Sequence, residues 1–129
     1  MPMQAVSSSQ LVAIDATEES TTSSTPVKLK EFVIDVAGTY RAKFSMLSAT
    51  AGAATGFAQL YVNAVVRGGT HNVSGLTWVQ QVEDISVGVG DLLQLYVWHY
   101  NGSAAVSVNS FSISASWQDL PPAIPARVS

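Results

Sequence analysis

Residues 38–49, GTYRAKFSMLSA, alternate without a break. Tyr40, Ala42, Phe44 and Met46 fall on one side, and Thr39, Arg41, Lys43 and Ser45 on the other. A period of two fits a strand with one buried face and excludes a helix, whose like positions recur every three to four residues. The period returns at residues 56–64, where Ala58, Leu60, Val62 and Ala64 oppose Phe57, Gln59, Tyr61 and Asn63. It returns again where Leu93, Leu95 and Val97 alternate with Gln94, Tyr96 and Trp98. LKEFVIDV and WVQQVEDISV read as further strands, and LVAI at Leu11–Ile14 as a possible short one. No window carries a capped helical stripe, so the expectation is an all-β sandwich or barrel.

One strand changes phase. Val106 and Val108 share a parity that Phe111, Ile113, Ala115 and Trp117 oppose. A slip of one residue would put all six on one face, so a bulge is expected near Asn109–Ser110.

The ends differ from the middle. Residues 1–26 read as an extended N-terminal arm, with ATEESTTSSTP its most linker-like piece, and residues 27–118 as the domain. Residues 119–129, DLPPAIPARVS, carry three prolines and read as an extended C-terminal arm with Ile124 and Val128 as anchors.

Composition narrows the chemistry. Charged residues make up 12% of the 129, about half the usual share of roughly 25%. A net charge of −3 with no basic cluster argues against nucleic acid as a partner. There is no cysteine, which removes disulfides and thiolate chemistry. MPMQAVSSSQ has neither the basic start nor the apolar run of a secretory signal, and no apolar stretch approaches the roughly 20 residues of a membrane helix. A soluble protein made in the cytoplasm, with no membrane partner, is the expectation.

Catalytic patterns are sparse. His71 and His99 have no metal-pair spacing; His71 reads as an exposed loop residue and His99 as the rim of an interface. Glu83 and Asp84, adjacent on a strand, face opposite ways. Asp15, Glu18 and Glu19 match no calcium loop and read as solvated acids. No Gly-x-Ser-x-Gly elbow is present, GVGD lacks the lysine of a phosphate loop, and the acceptor-like Asn72 and Asn101 read as turns. The expectation is no enzyme, no cofactor and no metal.

The order of FVIDVAGTYRAKFSM, AQLYVNAVVRGG, VEDISVGVGDLLQLYVW and VNSFSISAS resembles the jelly roll of the tumour necrosis factor superfamily and of complement-type globular heads. The shared pieces are a Gly-x-Tyr strand start, V-x-x-G-D-x-L-x-L and a terminal F-x-I. The resemblance covers about two thirds of the chain and implies an antiparallel jelly-roll sandwich that assembles as a homotrimer. Transferred here, its threefold seam would be Phe57, Tyr61, Tyr96 and Trp98; the other reading of these four is burial under a loop.

Without signal peptide, stalk or cysteines, the chain is more similar to the trimeric jelly rolls of bacteriophage particles. That implies a decoration (cement) protein on the virion capsid surface, holding the major capsid protein through Leu11, Ile14, Ile124 and Val128. The alternative is a phage tail-tip or fibre knob that binds a host receptor or glycan. Trp78, Tyr96, Trp98, His99 and Tyr100 would then form an aromatic platform, with Gln94 and Asn101 beside it.

Overall fold

The computed structural model describes residues 11–50, 55–115 and 126–128. Among them are ten strands and no helix: β1 (Leu11–Asp15), β2 (Glu19–Thr21), β3 (Val27–Ile34), β4 (Gly38–Ser48), β5 (Gly56–Val62), β6 (Val65–Val73), β7 (Val79–Val87), β8 (Leu92–His99), β9 (Val106–Ala115) and β10 (Ala126–Val128). They form two antiparallel sheets. The first has the order β1-β9-β4-β7, with β2 also on β9; the second has the order β10-β3-β8-β5-β6. From β2 onward the chain changes sheet at every step except β5 to β6, so the two layers are wound together as an all-β jelly-roll sandwich.

The alternating positions build the core. Tyr40, Ala42, Phe44 and Met46 are fully buried, as are Ala58, Leu60, Leu93, Leu95 and Val97 from the facing sheet. Burial of this kind, about 1.5–3 kcal/mol for each large apolar side chain, is what holds a chain without disulfides. Tyr40 donates its hydroxyl to the Val36 carbonyl at 2.6 Å. Burial and the nearby Asp35 carboxylate push its pKa up to about 12.

The expected bulge is present. Lys43 pairs with Ser112 and Ser45 with Asn109, so Ser110 and Phe111 sit opposite Phe44 alone. Ser110 takes a positive φ of 54° there. The slip returns Phe111 and Ile113 to the face of Val106 and Val108, and all four are fully buried. Ala115 ends β9 on the partner of Tyr40, while Trp117 lies outside the described residues.

Parts of both stretches read as arms form strands among the described residues. Leu11 and Ile14 belong to β1, which pairs with β9, and part of the linker-like ATEESTTSSTP is β2, also on β9. Val128 belongs to β10, which pairs with β3; Ile124 lies outside the described residues. Asp15 and Glu19 are ion-pair partners of a lysine rather than acids held by water alone. Lys30, its side chain fully buried, reaches between the sheets to Asp15 Oδ1 at 3.2 Å and Glu19 Oε1 at 3.0 Å, and donates to the Thr17 carbonyl. A buried ammonium needs such partners, and here they tie β1 and β2 to β3.

The opposite corner is closed by side chains. β6 and β7 are the outer strands of their sheets. Glu83 Oε2 accepts the Gly69 N–H at 3.0 Å, Gln81 donates to the Asn72 carbonyl at 3.1 Å, and Arg67 donates to the Ser86 carbonyl at 2.9 Å. Three main-chain groups at the corner are thus satisfied by side chains of the facing sheet. From the sequence GFAQLYVNAVVRGG reads as one strand with His71 in a loop beyond it; the turn at Asn63 and Ala64 splits that run into β5 and β6. A Cβ at Gly68 would lie 2.6 Å from Glu83 Oε2, so a larger residue there would push the carboxylate aside.

Candidate ligand-binding face

The outer faces of the two sheets differ in kind. On the first sheet, Arg41, Lys43 and Ser45 of β4 stand beside Asp84, Val82 and Gln80 of β7 and Ser114, Ser112 and Asn109 of β9. This is mostly a polar coat; the Arg41–Asp84 pair, at 2.9 Å, is exposed and holds the Asp84 carboxyl below its usual range. On the second sheet, Phe57, Gln59 and Tyr61 of β5 stand beside Tyr96 and Trp98 of β8.

Those four rings form two stacked pairs. Phe57 and Trp98 are direct cross-strand partners, with centroids 5.5 Å apart and planes 18° from parallel. Tyr61 and Tyr96 are diagonal neighbours, with centroids 3.8 Å apart and planes 21° from parallel. Rings from adjacent strands that lie face to face must stand on edge above the sheet. They make a ridge along β5 and β8 that spans about 13 Å from Phe57 to Tyr61. One face of each ring is covered by its mate, and the other looks sideways, toward β3 or toward β6. All four rings are accordingly half-buried.

Beside Phe57 and Gln59 the β6 flank is polar and open. Asn72 is opposite Phe57 and Thr70 is opposite Gln59, both exposed. Gln59 is held by its bond to the Gly68 carbonyl at 2.9 Å. Toward the other flank Gln94 is fixed at both ends, accepting from the Ala64 N–H at 2.7 Å and donating to Glu31 Oε1 at 2.8 Å. Lys28 meets the same Glu31 oxygen at 3.0 Å. Charge on this flank is therefore internally compensated. Neither the Tyr61 nor the Tyr96 phenol oxygen bonds to another described residue.

The other residues singled out by sequence are dispersed. His99 is not a rim residue: it follows the parity of Leu93, Leu95 and Val97 and is fully buried. Its Nε2 meets the Thr50 hydroxyl at 3.0 Å, and its Nδ1 accepts from the N–H groups of Asn101 and Gly102 at 3.3 and 3.1 Å. His71 is not a loop residue either. It lies in β6, half-buried, with Nε2 2.8 Å from Glu83 Oε1 and its ring edge-on to Phe44. Asn72 is in the same strand, whereas Asn101 does sit in a bend. Glu83 and Asp84 face opposite ways as expected, one into the corner with His71 and the other out to Arg41. Trp78 precedes β7 on the first sheet, apart from the ridge, while Tyr100, 54% exposed, follows the end of β8 with its ring 4.9 Å from that of His99. Among the described residues no three His, Cys, Asp or Glu side chains gather where they could hold a metal ion.

No family model matches the sequence, and no curated protein matches it. Solved structures do match the fold. A family 35 carbohydrate-binding module from Clostridium thermocellum superposes with a TM-score of 0.52 and 18% identity, covering 74% of each chain. A family 35 carbohydrate-binding module from an environmental isolate superposes with a TM-score of 0.50 and 15% identity over 97% of this chain and 100% of that one. Rabbit GITRL, a tumour necrosis factor-family ligand, follows at 0.42 and 15% identity over 67% and 77%. At these identities the first two establish the jelly-roll fold and nothing finer.

Proposed function

We propose that the protein is a non-catalytic glycan-binding module and that the aromatic ridge of the second sheet is its binding face. The observation that carries this reading is the pairing of upright rings with an open polar flank. Phe57 turns its outer face toward β6, where Asn72 and Thr70 stand within reach. A sugar ring presents C–H groups to an aromatic face and hydroxyls to amides and hydroxyls around it, and this flank offers both. Internal pairing of Lys28 with Glu31 leaves no excess charge there, which suits a neutral glycan. The two carbohydrate-binding modules with the same fold are in keeping with the reading.

The test is calorimetric titration with a panel of neutral oligosaccharides, cellotriose and xylotriose among them. At least one should bind, and Phe57→Ala or Asn72→Ala should weaken it about tenfold, equivalent to about 1.4 kcal/mol. Absence of binding across a broad glycan panel overturns the reading.

A second reading uses the same face as a seam between copies. Leu92 and Val33, outward neighbours on β8 and β3, and Val66, 52% exposed and opposite Tyr61, lengthen the apolar strip beyond the ridge. Phe57, Tyr61, Tyr96 and Trp98 would then meet around a threefold axis, and the homotrimer would decorate a phage capsid. Light scattering distinguishes the two: a trimer that Trp98→Asp breaks favours the seam, and a monomer that binds sugar favours the first reading.

A further inference from the structure

We propose that the glycan taken by the second sheet carries an acetamido group, held between Gln59 and Thr70 with its methyl turned toward Tyr61 and Val66. The inference rests on the glycan reading of this face and names the class of sugar. Phe57, Gln59 and Tyr61 follow one another along the outer side of β5, and β6 sets Asn72, Thr70 and Val66 directly opposite them. The furrow between the ridge and β6 therefore changes character along its length. Beside Phe57 it is edged by an amide. Beside Tyr61 it is edged by Val66, an apolar side chain that is 52% exposed. Valine offers no partner to a hydroxyl, but it offers a methyl group a surface to cover.

The middle of the furrow suits an amide. Gln59 donates a side-chain N–H to the Gly68 carbonyl at 2.9 Å, which fixes the direction of its amide. Its Oε1 bonds to no other described residue, and no buried side-chain polar atom among the described residues lacks a partner, so this oxygen is open to solvent. Thr70, the cross-strand partner of Gln59, is exposed and brings a hydroxyl. The register slips at this level: Gln59 pairs with Thr70 and Tyr61 with Val66, so residues 67–69 stand opposite Leu60 alone. Two of those three are Gly68 and Gly69, which puts no side chain between Thr70 and Arg67 on the β6 edge. The Tyr61 ring leans toward Gln59, because it stacks on Tyr96, and Tyr96 is the β8 partner of Gln59. A sugar stacked on Phe57 can thus extend an acetamido arm along β5. Its N–H would donate to Gln59 Oε1, its carbonyl would accept from the Thr70 hydroxyl, and its methyl would lie against Tyr61 and Val66. A plain hydroxyl in the same place could use Gln59 or Thr70, but it would leave the apolar pair uncovered.

Cellotriose and chitotriose share a backbone and differ in carrying a hydroxyl or an acetamido group on each sugar, so the pair isolates this substituent. In calorimetric titration of the full chain, chitotriose should bind at least about tenfold more tightly than cellotriose. Gln59→Leu and Val66→Ser should each cut that preference severalfold. Val66 is exposed and outside the core, so Val66→Ser decides the matter if Gln59→Leu fails to fold. A preference below about tenfold, or one that either folded variant leaves unchanged, overturns the inference. Binding of cellotriose or another neutral glycan in that case leaves the glycan reading standing, whereas silence across the whole panel removes both.

Discussion

Phe32 and Phe111 come from opposite sheets and stack face to face, with centroids 4.7 Å apart and planes 15° from parallel. Phe44 meets Phe111 edge-on at 6.4 Å. The bulge at Ser110 is what delivers Phe111 to this cluster. Phe111→Ala should therefore cost about 3–5 kcal/mol, read as a lower urea midpoint with an unchanged slope. A loss below about 1 kcal/mol would mean that the three rings are not the centre of the core.

The β5–β6 hairpin turns on Asn63 and Ala64, at φ 53° and 66°. Two positive φ values define a type I′ turn, for which Asn-Gly is the preferred pair. Alanine is strained in that conformation, so Ala64→Gly should raise stability by about 0.5–1 kcal/mol. Thermal unfolding checks this; a lower midpoint would show that the turn is not of this type.

Asp91 pins two loops. Its carboxylate accepts from the Gly88 N–H at 2.7 Å and from the Asn63 amide at 3.0 Å. The Gly88 bond first, then the Asn63 bond and the charge of Arg67, hold its pKa below the ordinary value. A depressed carboxylate contributes stability that is present above the unfolded value, about 3.9. That contribution is lost as pH falls through the folded value. Stability of the native chain should fall as pH is lowered below about 4, and Asp91→Ala should flatten part of that dependence while lowering stability at pH 7. Urea midpoints at three pH values for both chains measure it; parallel curves would remove Asp91 from the account.

The sandwich was legible wherever one face of a strand is wholly apolar, as in β4 and β8, because burial on one side writes itself as a period of two. Even the slip in β9 was visible, since four core residues change parity across it. What stayed hidden depends on contacts between segments distant in sequence. His71 and Glu83 are twelve residues apart and meet only once the two sheets stack, as do Glu83 and the Gly69 N–H. Lys30 looks like any surface lysine until Asp15 and Glu19 are seen around it. The ridge was half legible: Phe57, Tyr61, Tyr96 and Trp98 share a face by parity alone, but parity does not reveal that the rings stack and partly cover one another.

The corner between β6 and β7, where Glu83, Gln81 and Arg67 occupy main-chain groups of the facing strand, takes one flank of the molecule out of play. With those groups taken, this margin offers a passing strand fewer free donors and acceptors to zip onto, a built-in brake on edge-to-edge aggregation.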